Sequence, residues 1–347
     1  MGKIRSEAVC VYGARVINTH VLAMQAEIEG VLEAQDIEYI HRMRVASRRL
    51  RSALAIFEDC FTGKQFKAYS RDVRDVTRSL GAARDLDVQL ALLENTLPEF
   101  SSPRLLPGMR RLGLRLKQQR SEAQNEVITS IQKLQADETL KNLAEWAAPF
   151  VDMAAGVYLF SPALYELAFS GINARVRELL EHAAYIQDEG NVTELHNMRI
   201  SAKRLRYTME TFADLYGANL KPLINQTRKF QDLLGEIHDA DVWIALIPCF
   251  IQEENERITI YFGNDRPLKR LLPGLEAFRA NRVEKRGADY RRFLEVWAKT
   301  EEDHLWEELT RLINAPLNLE AALRSLQQAE NLNNTPEEIP EPPSAED

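Results

Sequence analysis

Two short segments concentrate the side chains that could do chemistry in this sequence. Residues 41–57 read HRMRVASRRLRSALAIF and residues 196–212 read HNMRISAKRLRYTMETF, so the same pattern returns after 155 positions. A guanidinium group presents a rigid fork of N–H donors that matches the oxygens of phosphates. Histidines placed among arginines are poorly suited to a metal cation, because the arginines repel it. The chemistry that both segments favour is the binding of anions.

If each segment is helical, its basic residues form one stripe. At 100° per residue the first stripe spans about 80° of arc, and the apolar residues lie on the opposite, core-directed face. We interpret the stripe as lacking a neutralising carboxylate four positions away. Repulsion between its like charges would then destabilise the helix by a few tenths of a kcal/mol per pair, unless an external anion offsets it. Cations about one helical turn apart suit a linear polyanion. The stripes are His41, Arg44, Arg48 and Arg51 in the first segment and His196, Arg199, Lys203 and Arg206 in the second, with Arg49 and Arg204 to one side.

Further basic residues are candidates to extend this surface. They are Arg74, Arg78, Arg120, Arg228 and Arg286. Arg228 matches Arg74, and Arg286 matches Arg120, when the two parts of the chain are aligned. No glycine-rich GxxxxGK[ST] or GxGxxG loop occurs, so a nucleotide phosphate cradle of that kind is not predicted.

Two more pairs of segments repeat in the same order. LGAARDLDV at 80–88 matches LGEIHDADV at 234–242, and LLPG at 105–108 matches LLPG at 271–274. Three ordered matches predict a tandem duplication with halves 1–155 and 156–325 and a seam near 150–162. Helical periodicity and weak strand signals predict an all-α protein with about four helices in each half. We expect a kink near Gly81 and one continuous helix over 273–312.

Composition limits the class of protein. The net charge is −8, and the five acidic residues of 335–347 supply most of it, so the rest of the chain can still carry a basic surface. We predict that 326–347 is an acidic, proline-rich, disordered tail. Three cysteines that lie far apart predict neither a disulfide framework nor a metal site. Neither a signal peptide nor a membrane span is predicted, so a cytoplasmic protein is expected.

The doubled His-x-x-Arg-x-x-x-[Arg/Lys]-Arg-Leu-Arg motif, followed in each half by Leu-Gly-x-x-x-Asp-x-Asp-Val, resembles the CHAD family (conserved histidine α-helical domain). The resemblance covers about residues 1–320. It implies two four-helix bundles related by a pseudo-two-fold axis, around a basic central groove that binds inorganic polyphosphate. By motif position, the implied binding residues are the stripe residues with Arg49 and Arg204. The Glu-x-Glu-x-Lys signature of the triphosphatase tunnel domain found in many relatives is missing, since Glu27 and Glu29 are followed by Val31. We therefore expect a stand-alone module.

Two alternative functions remain open at this point. Nucleic acid would bind any phosphate-neutralising surface, although only Tyr207 adjoins the stripe as an aromatic group, so we expect non-specific binding at most. A metal-dependent phosphohydrolase would need Asp85 and Asp87, or Asp239 and Asp241, to chelate together. In a helix such i and i+2 carboxylates point about 160° apart, so we predict pairing with arginines instead.

The prediction is therefore a non-catalytic polyphosphate-binding module without metal or cofactor. Inorganic polyphosphate is its expected ligand, and polyphosphate-metabolising enzymes are its candidate partners; no membrane partner is expected. We expect it in the cytoplasm, associated with polyphosphate granules. A phosphate chain would raise the pKa of the two motif histidines, so we also expect binding to strengthen as the pH falls from about 8 to 6.

Overall fold

The structure is a computed structural model that describes residues 6–151 and 161–333, with side chains to residue 319. All of its regular elements within these residues are helical, which confirms the all-α prediction. The first half contains α1 (Glu7–Gln25), α2 (Ile28–Glu33), α3 (Ile37–Ile56), α4 (Gly63–Thr96), α5 (Leu106–Ala136) and α6 (Thr139–Val151). The second half contains α7 (Pro162–Leu180), α8 (Val192–Thr211), α9 (Ala213–Tyr216), α10 (Leu220–Phe262), α11 (Leu272–Glu302) and α12 (Leu305–Asn333).

Local sequence signals explain where several helices begin and end. Asp36 caps α3 by accepting a hydrogen bond of 2.9 Å from the backbone N–H of Glu38. Thr62 and Gln65 form a capping box at the start of α4. The C-terminus of α10 is followed by Gly263 with φ of 69°, a left-handed conformation that glycine adopts without steric cost.

Two predicted helix boundaries are wrong. The helix α4 continues through Gly81, because Val76, Leu80 and Ala83 on either side of it are buried and packing outweighs the cost of about 1 kcal/mol for a helical glycine. The segment 273–312 is two helices, since α11 ends at Glu302 and His304 has φ of 50°. Glu138 has the same positive φ between α5 and α6, so both halves turn at this point.

Helix packing follows the same order in both halves. The helix α3 packs between α1 and α4, and α4 packs on α5; likewise α8 packs between α7 and α10, and α10 packs on α11. The halves meet where α1 contacts α7, α3 contacts α8 and α5 contacts α11. These paired contacts agree with the repeat seen in the sequence, although most of the expected seam, residues 152–160, lies outside the described residues.

The apolar faces of the two motif helices form the centre of one core. Met43, Leu50 and Phe57 are buried, as the helical periodicity predicted, and so are their counterparts Met198, Leu205 and Phe212. The Phe57 and Phe212 rings lie 6.1 Å apart, so the two halves share this core. Because these apolar faces are buried together, the basic faces of α3 and α8 are turned to the opposite side.

The repeated LLPG segments form a close contact between the halves. A Cβ atom on Gly108 would lie 2.2 Å from the carbonyl oxygen of Leu271, and one on Gly274 would lie 2.0 Å from that of Leu105. No side chain fits at either distance. Glycine at both positions therefore lets the first turns of α5 and α11 approach each other.

The prediction that the cysteines do not pair is wrong. Cys10 of α1 and Cys60, just after α3, form a disulfide, because the packing of α1 on α3 brings their Cα atoms to 5.5 Å. Cys249 is free and exposed. Structural disulfides are rare in a reducing cytoplasm, so the cysteines no longer support the cytoplasmic expectation.

Two further expectations concern the ends of the chain and the membrane. The helix α12 continues to Asn333, so the predicted disordered tail 326–347 begins inside a helix, and 334–347 lie outside the described residues. Within the described part of the chain, no helix combines the length and the apolar character that crossing a bilayer requires.

Candidate functional site

The basic faces of α3 and α8 line one groove of about 630 Å³. The helices α4 and α10 complete it, each with residues from the segment that follows its Leu-Gly pair. The lining residues are His41, Arg44, Arg48, Arg51, Arg84, Asp85, Val88, Arg199, Ile200, Lys203, Arg204, Tyr207, His238, Asp239 and Val242. The structure thus brings together seven of the predicted residues from two segments that are 155 positions apart in sequence.

The groove holds more positive charge than its own carboxylates neutralise. Seven arginines or lysines line it, against two aspartates. Arg44 pairs with Asp85 at 3.2 Å, whereas the Nε atom of Arg199 is buried and has no hydrogen-bond partner among the described residues. Buried donors are normally satisfied. The Nε atom of Arg199 is therefore an exception among buried donors in the described residues.

Crowding changes the titration of these cations. Burial, and then the charges of Arg199, Arg48 and Arg44, lower the pKa of Lys203 to about 7. Burial is also the main cause that lowers the pKa of Arg48 and of Arg199. The arginines stay charged in any case, so Lys203 is the cation whose charge depends most on the surroundings.

The repeated Leu-Gly pair has a structural explanation. A Cβ atom on Gly81 would lie 3.6 Å from Nε of Arg44, and one on Gly235 would lie 3.7 Å from Nε of Arg199. Each motif arginine therefore passes close to a glycine of the neighbouring helix, α4 or α10. A side chain larger than alanine there would push the guanidinium out of its position.

An aromatic ring contacts two of the arginines. The guanidinium carbon of Arg48 lies 5.2 Å from the centroid of Tyr207, and that of Arg206 lies 4.6 Å from it. Both distances are within the range of cation–π contacts. Tyr207 thus helps to hold Arg48 at the groove wall.

The Asp-x-Asp segments bind arginines, as their helical geometry predicted. Asp87 accepts a hydrogen bond of 2.6 Å from Nε of Arg120, and Asp241 accepts one of 2.5 Å from Nε of Arg286. The described residues contain no group of three or more His, Cys, Asp or Glu arranged to hold a metal ion. The prediction that Arg120 and Arg286 extend the binding surface disagrees with the structure, because these aspartates engage both guanidinium groups and neither arginine lines the groove.

Three other predicted residues converge on one carboxylate outside the groove. Glu210 pairs with Arg206 at 2.6 Å, with Arg49 at 3.1 Å and with Arg228 at 3.6 Å. The interpretation that the stripe lacks a carboxylate four positions away is therefore wrong for Arg206, whose i+4 residue is Glu210. Arg49 and Glu210 line a separate cavity of about 280 Å³ together with His20.

The remaining predicted arginines flank the groove or lie at its rim. Partial burial, and then the charges of Arg74 and Arg78, lower the pKa of Arg51, which places these two arginines of α4 beside that end of the groove. Arg74 also pairs with Asp75 at 3.5 Å. Arg204 lines the groove although its azimuth is off the main stripe, and it also pairs with Glu178.

The motif histidines are less basic than free histidine. Burial is the largest cause that lowers the pKa of His41 and of His196, and it lowers the pKa of His238 to about 4. His196 contacts His238, with 3.0 Å between their Nδ1 atoms. In the unliganded groove, therefore, the arginines supply the charge at neutral pH, and the expected role of the histidines depends on the ligand raising their pKa.

Sequence reasoning did not include Arg84 and His238 in the binding surface. Each is the third residue after the glycine of the Leu-Gly pair, at equivalent positions of α4 and α10. Because that glycine contacts the motif arginine, a residue about one turn further along the helix faces the same groove. The spacing from Gly81 and Gly235 was the signal that could have found them.

The CHAD domain model matches residues 15–248, about two thirds of the chain, and the chain belongs to the CHAD domain family. Two solved structures share its fold. The CHAD domain from the plant Ricinus communis is 25% identical, with a TM-score of 0.55 over 82% of this chain and 91% of the other. PptA from Streptomyces chartreusis is 16% identical, with a TM-score of 0.56 over 83% and 98%, which shows the fold alone. Among curated proteins, none shows significant sequence similarity to this chain.

Proposed function

We propose that this chain is a non-catalytic module that binds inorganic polyphosphate in the groove between α3 and α8. The CHAD domain family is known to bind polyphosphate. The observation that supports the same ligand here is the excess of half-buried cations, above all Arg199 with its unpartnered Nε atom. A chain with a negative charge on every unit would supply oxygens to both helices at once.

The groove is suited to capture and not to bond cleavage. Its cations neutralise phosphate oxygens, and the guanidinium groups of Arg44, Arg48 and Arg199 can each donate two hydrogen bonds to them. Three of the four aspartates that a hydrolase could use to activate water are paired with arginines, Asp85 with Arg44, Asp87 with Arg120 and Asp241 with Arg286. We propose that the bound chain is held by charge and hydrogen bonds, with condensed counterions released into solution.

Nucleic acid is the second candidate ligand, because it carries the same phosphate charge. Tyr207 is the one phenyl or indole side chain among the groove residues, and Arg48 and Arg206 already lie within 5.2 Å of its ring centroid. Stacking of bases needs a free aromatic face. We therefore expect nucleic acid to bind through its backbone only and more weakly than polyphosphate.

A competition titration at about 150 mM salt tests the proposal. Labelled long-chain polyphosphate is held on the protein while unlabelled polyphosphate, single-stranded DNA or RNA is added at equal phosphate concentration. A variant with Arg44, Arg48, Arg199 and Lys203 all changed to Gln should bind about a thousandfold more weakly, at a net loss of about 1 kcal/mol for each of the four cations.

The matched control removes four positive charges outside the groove. Lys117 and Lys141 pair with exposed carboxylates, and Lys64 and Lys299 are exposed side chains that do not line the groove, so changing these four to Gln gives the same net charge with the groove intact. This variant should keep wild-type affinity within a few fold. Equal loss in both variants would refute the groove as the site, and displacement by DNA at equal phosphate would favour a general polyanion site.

The cellular role follows from the same proposal. A module that holds polyphosphate without cleaving it would attach its bearer to polyphosphate granules or present the chain to polyphosphate-metabolising enzymes. Localisation of a fluorescent fusion in polyphosphate-rich cells, compared with the four-Gln groove variant, tests the attachment to granules.

A further inference from the structure

The two halves of the groove differ in the kind of charge that they carry. Arg48 of α3 is matched in the second half by Lys203 of α8, and Arg84 of α4 is matched by His238 of α10. All four residues line the groove. An arginine stays charged at any relevant pH, whereas lysine and histidine can lose their proton when buried among cations. At these two positions the first half is therefore permanently charged, and the second half can lose charge.

The surroundings of Lys203 favour its neutral form when no ligand is bound. It is half-buried, and it faces Arg44 and Arg48 from α3 and Arg199 from its own helix. Asp239 of α10 is the carboxylate that opposes these charges. Burial and these three cations give the pKa of about 7 described above, far below that of a free lysine.

The histidine pair adds a second site for a proton in the same half. The Nδ1 atoms of His196 and His238 are 3.0 Å apart and their ring centroids are 4.3 Å apart. A hydrogen bond between two imidazole nitrogens needs one donor and one acceptor, so this arrangement cannot hold a proton on both Nδ1 atoms. Arg199 and Lys203 face His238, while Asp241, already bound to Arg286 of α11, faces His196.

The equivalent place in the first half has no such pair. His41 faces Arg84, Arg44, Arg42 and Glu38, and Arg84 lies 3.8 Å from Glu38. Arg84 occupies the position in the first half that is equivalent to His238 in the second half. The positive charge at this end of the groove is therefore present with or without a ligand.

We propose that the groove is composed of two unequal subsites, a permanently charged one formed by Arg44, Arg48 and Arg84 and a proton-dependent one formed by Lys203, His196 and His238. Short polyphosphates bind at the first, while chains long enough to cover both are bound with uptake of protons from solvent. The inference rests on the proposed function and adds to it a chain-length preference that depends on pH.

The direction of the pH effect follows from linkage. Phosphate oxygens next to Lys203 stabilise its ammonium form, so its pKa is higher in the complex than in the free protein. Between these two pKa values, each bound chain takes up about one proton on the Nζ atom. The affinity for long chains therefore falls as the pH rises above about 7, by up to tenfold per pH unit. A ligand held by Arg44, Arg48 and Arg84 without contacting Lys203 takes up fewer protons, so its affinity changes less over the same range.

Calorimetry at pH 8, in two buffers with different ionisation enthalpies, measures the protons taken up on binding. Long-chain polyphosphate is compared with cyclic trimetaphosphate, a short ligand without terminal phosphates that could titrate. We expect uptake of about one proton with the long chain and distinctly less with trimetaphosphate. Lys203→Arg should abolish the uptake at pH 8 while the chain still binds, and Lys141→Arg, far from the groove, should leave it unchanged.

A second pair of variants tests the assignment of the subsites. Combining Lys203→Arg with His238→Arg should make long-chain affinity independent of pH between about 6 and 8. Arg48→Lys should increase proton uptake with trimetaphosphate. Long-chain binding without proton uptake in the wild-type protein would overturn this inference and leave the proposed function intact. Failure of both ligands to bind at any pH would instead refute the proposed function itself.

Discussion

Replacing Arg120 by Leu should destabilise the fold strongly without weakening the binding of polyphosphate. The carboxylate of Asp87 is 3% exposed, and Nε of Arg120 lies 2.6 Å from its Oδ1 atom. The second oxygen, Oδ2, is buried with no hydrogen-bond partner in the described residues. Arg120 therefore provides most of the compensation for a buried negative charge.

The expected loss of stability follows from the free-energy cost of leaving a buried charge without its partner. Removing one member of a buried ion pair typically destabilises a protein by about 3–5 kcal/mol. Arg74→Leu is the matched control, since Arg74 and Asp75 are half-exposed and such surface pairs contribute about 0–1 kcal/mol. Changing both Asp87 and Arg120 to Leu removes the unpaired charge, so most of the lost stability should return.

Urea unfolding followed by circular dichroism measures these differences, and a titration with polyphosphate under native conditions measures binding. We expect Arg120→Leu to lower the free energy of unfolding by at least 3 kcal/mol while the folded protein keeps wild-type affinity. A loss below about 1 kcal/mol together with much weaker binding would refute this reasoning. Arg120 would then belong to the ligand site, as the sequence had led us to expect.

Three further outcomes follow from the structure. Gly274→Ala places a Cβ atom 2.0 Å from a backbone oxygen, so it should lower the free energy of unfolding by more than about 2 kcal/mol in the same urea assay. Gly63 has open space around a Cβ atom, so Gly63→Ala should be neutral or slightly stabilising. Cys60→Ser removes a disulfide that spans 50 positions and should lower the free energy of unfolding by up to about 4 kcal/mol. Cys249→Ser, at the free cysteine, should leave it unchanged. A urea midpoint of the wild-type protein that dithiothreitol does not lower would contradict this. Burial lowers the pKa of His20 to about 4, below its value in the unfolded chain, so stability is lost as the pH falls from about 6.5 towards 4. His20→Gln should reduce that loss by about 1–2 kcal/mol between pH 7 and 5, and an unchanged pH profile would show that His20 titrates normally.

Much of the groove could be predicted from helical periodicity. A single helix relates residues by 100° per position, so the sequence places Arg44 and Arg48 opposite Met43 and Leu50 without knowledge of any neighbour. The structure confirms the buried face and lines the groove with the charged one. The repeat also indicated correctly that Arg199 and Lys203 would join them, because equal patterns fold into equal helices.

Most of the predicted binding arginines that do not line the groove have guanidinium groups that are bound by other side chains. The azimuth of Arg206 agrees with the stripe, yet Glu210 and Gln231 take up its guanidinium. Arg120 and Arg286 match each other in the repeat because each neutralises the second aspartate of an Asp-x-Asp segment. Repetition showed that these arginines were equivalent, and it could not show what they contact.

By itself, the sequence determined the all-α class, the buried and charged faces of the two motif helices, and the equivalence of their residues. All of these depend on interactions within about four residues along the chain. Only the tertiary structure decided that Cys10 meets Cys60, that Asp87 engages Arg120 and that His196 lies against His238. These contacts join segments 33 to 50 positions apart. The packing of whole helices sets such distances, and no local pattern in the chain encodes them.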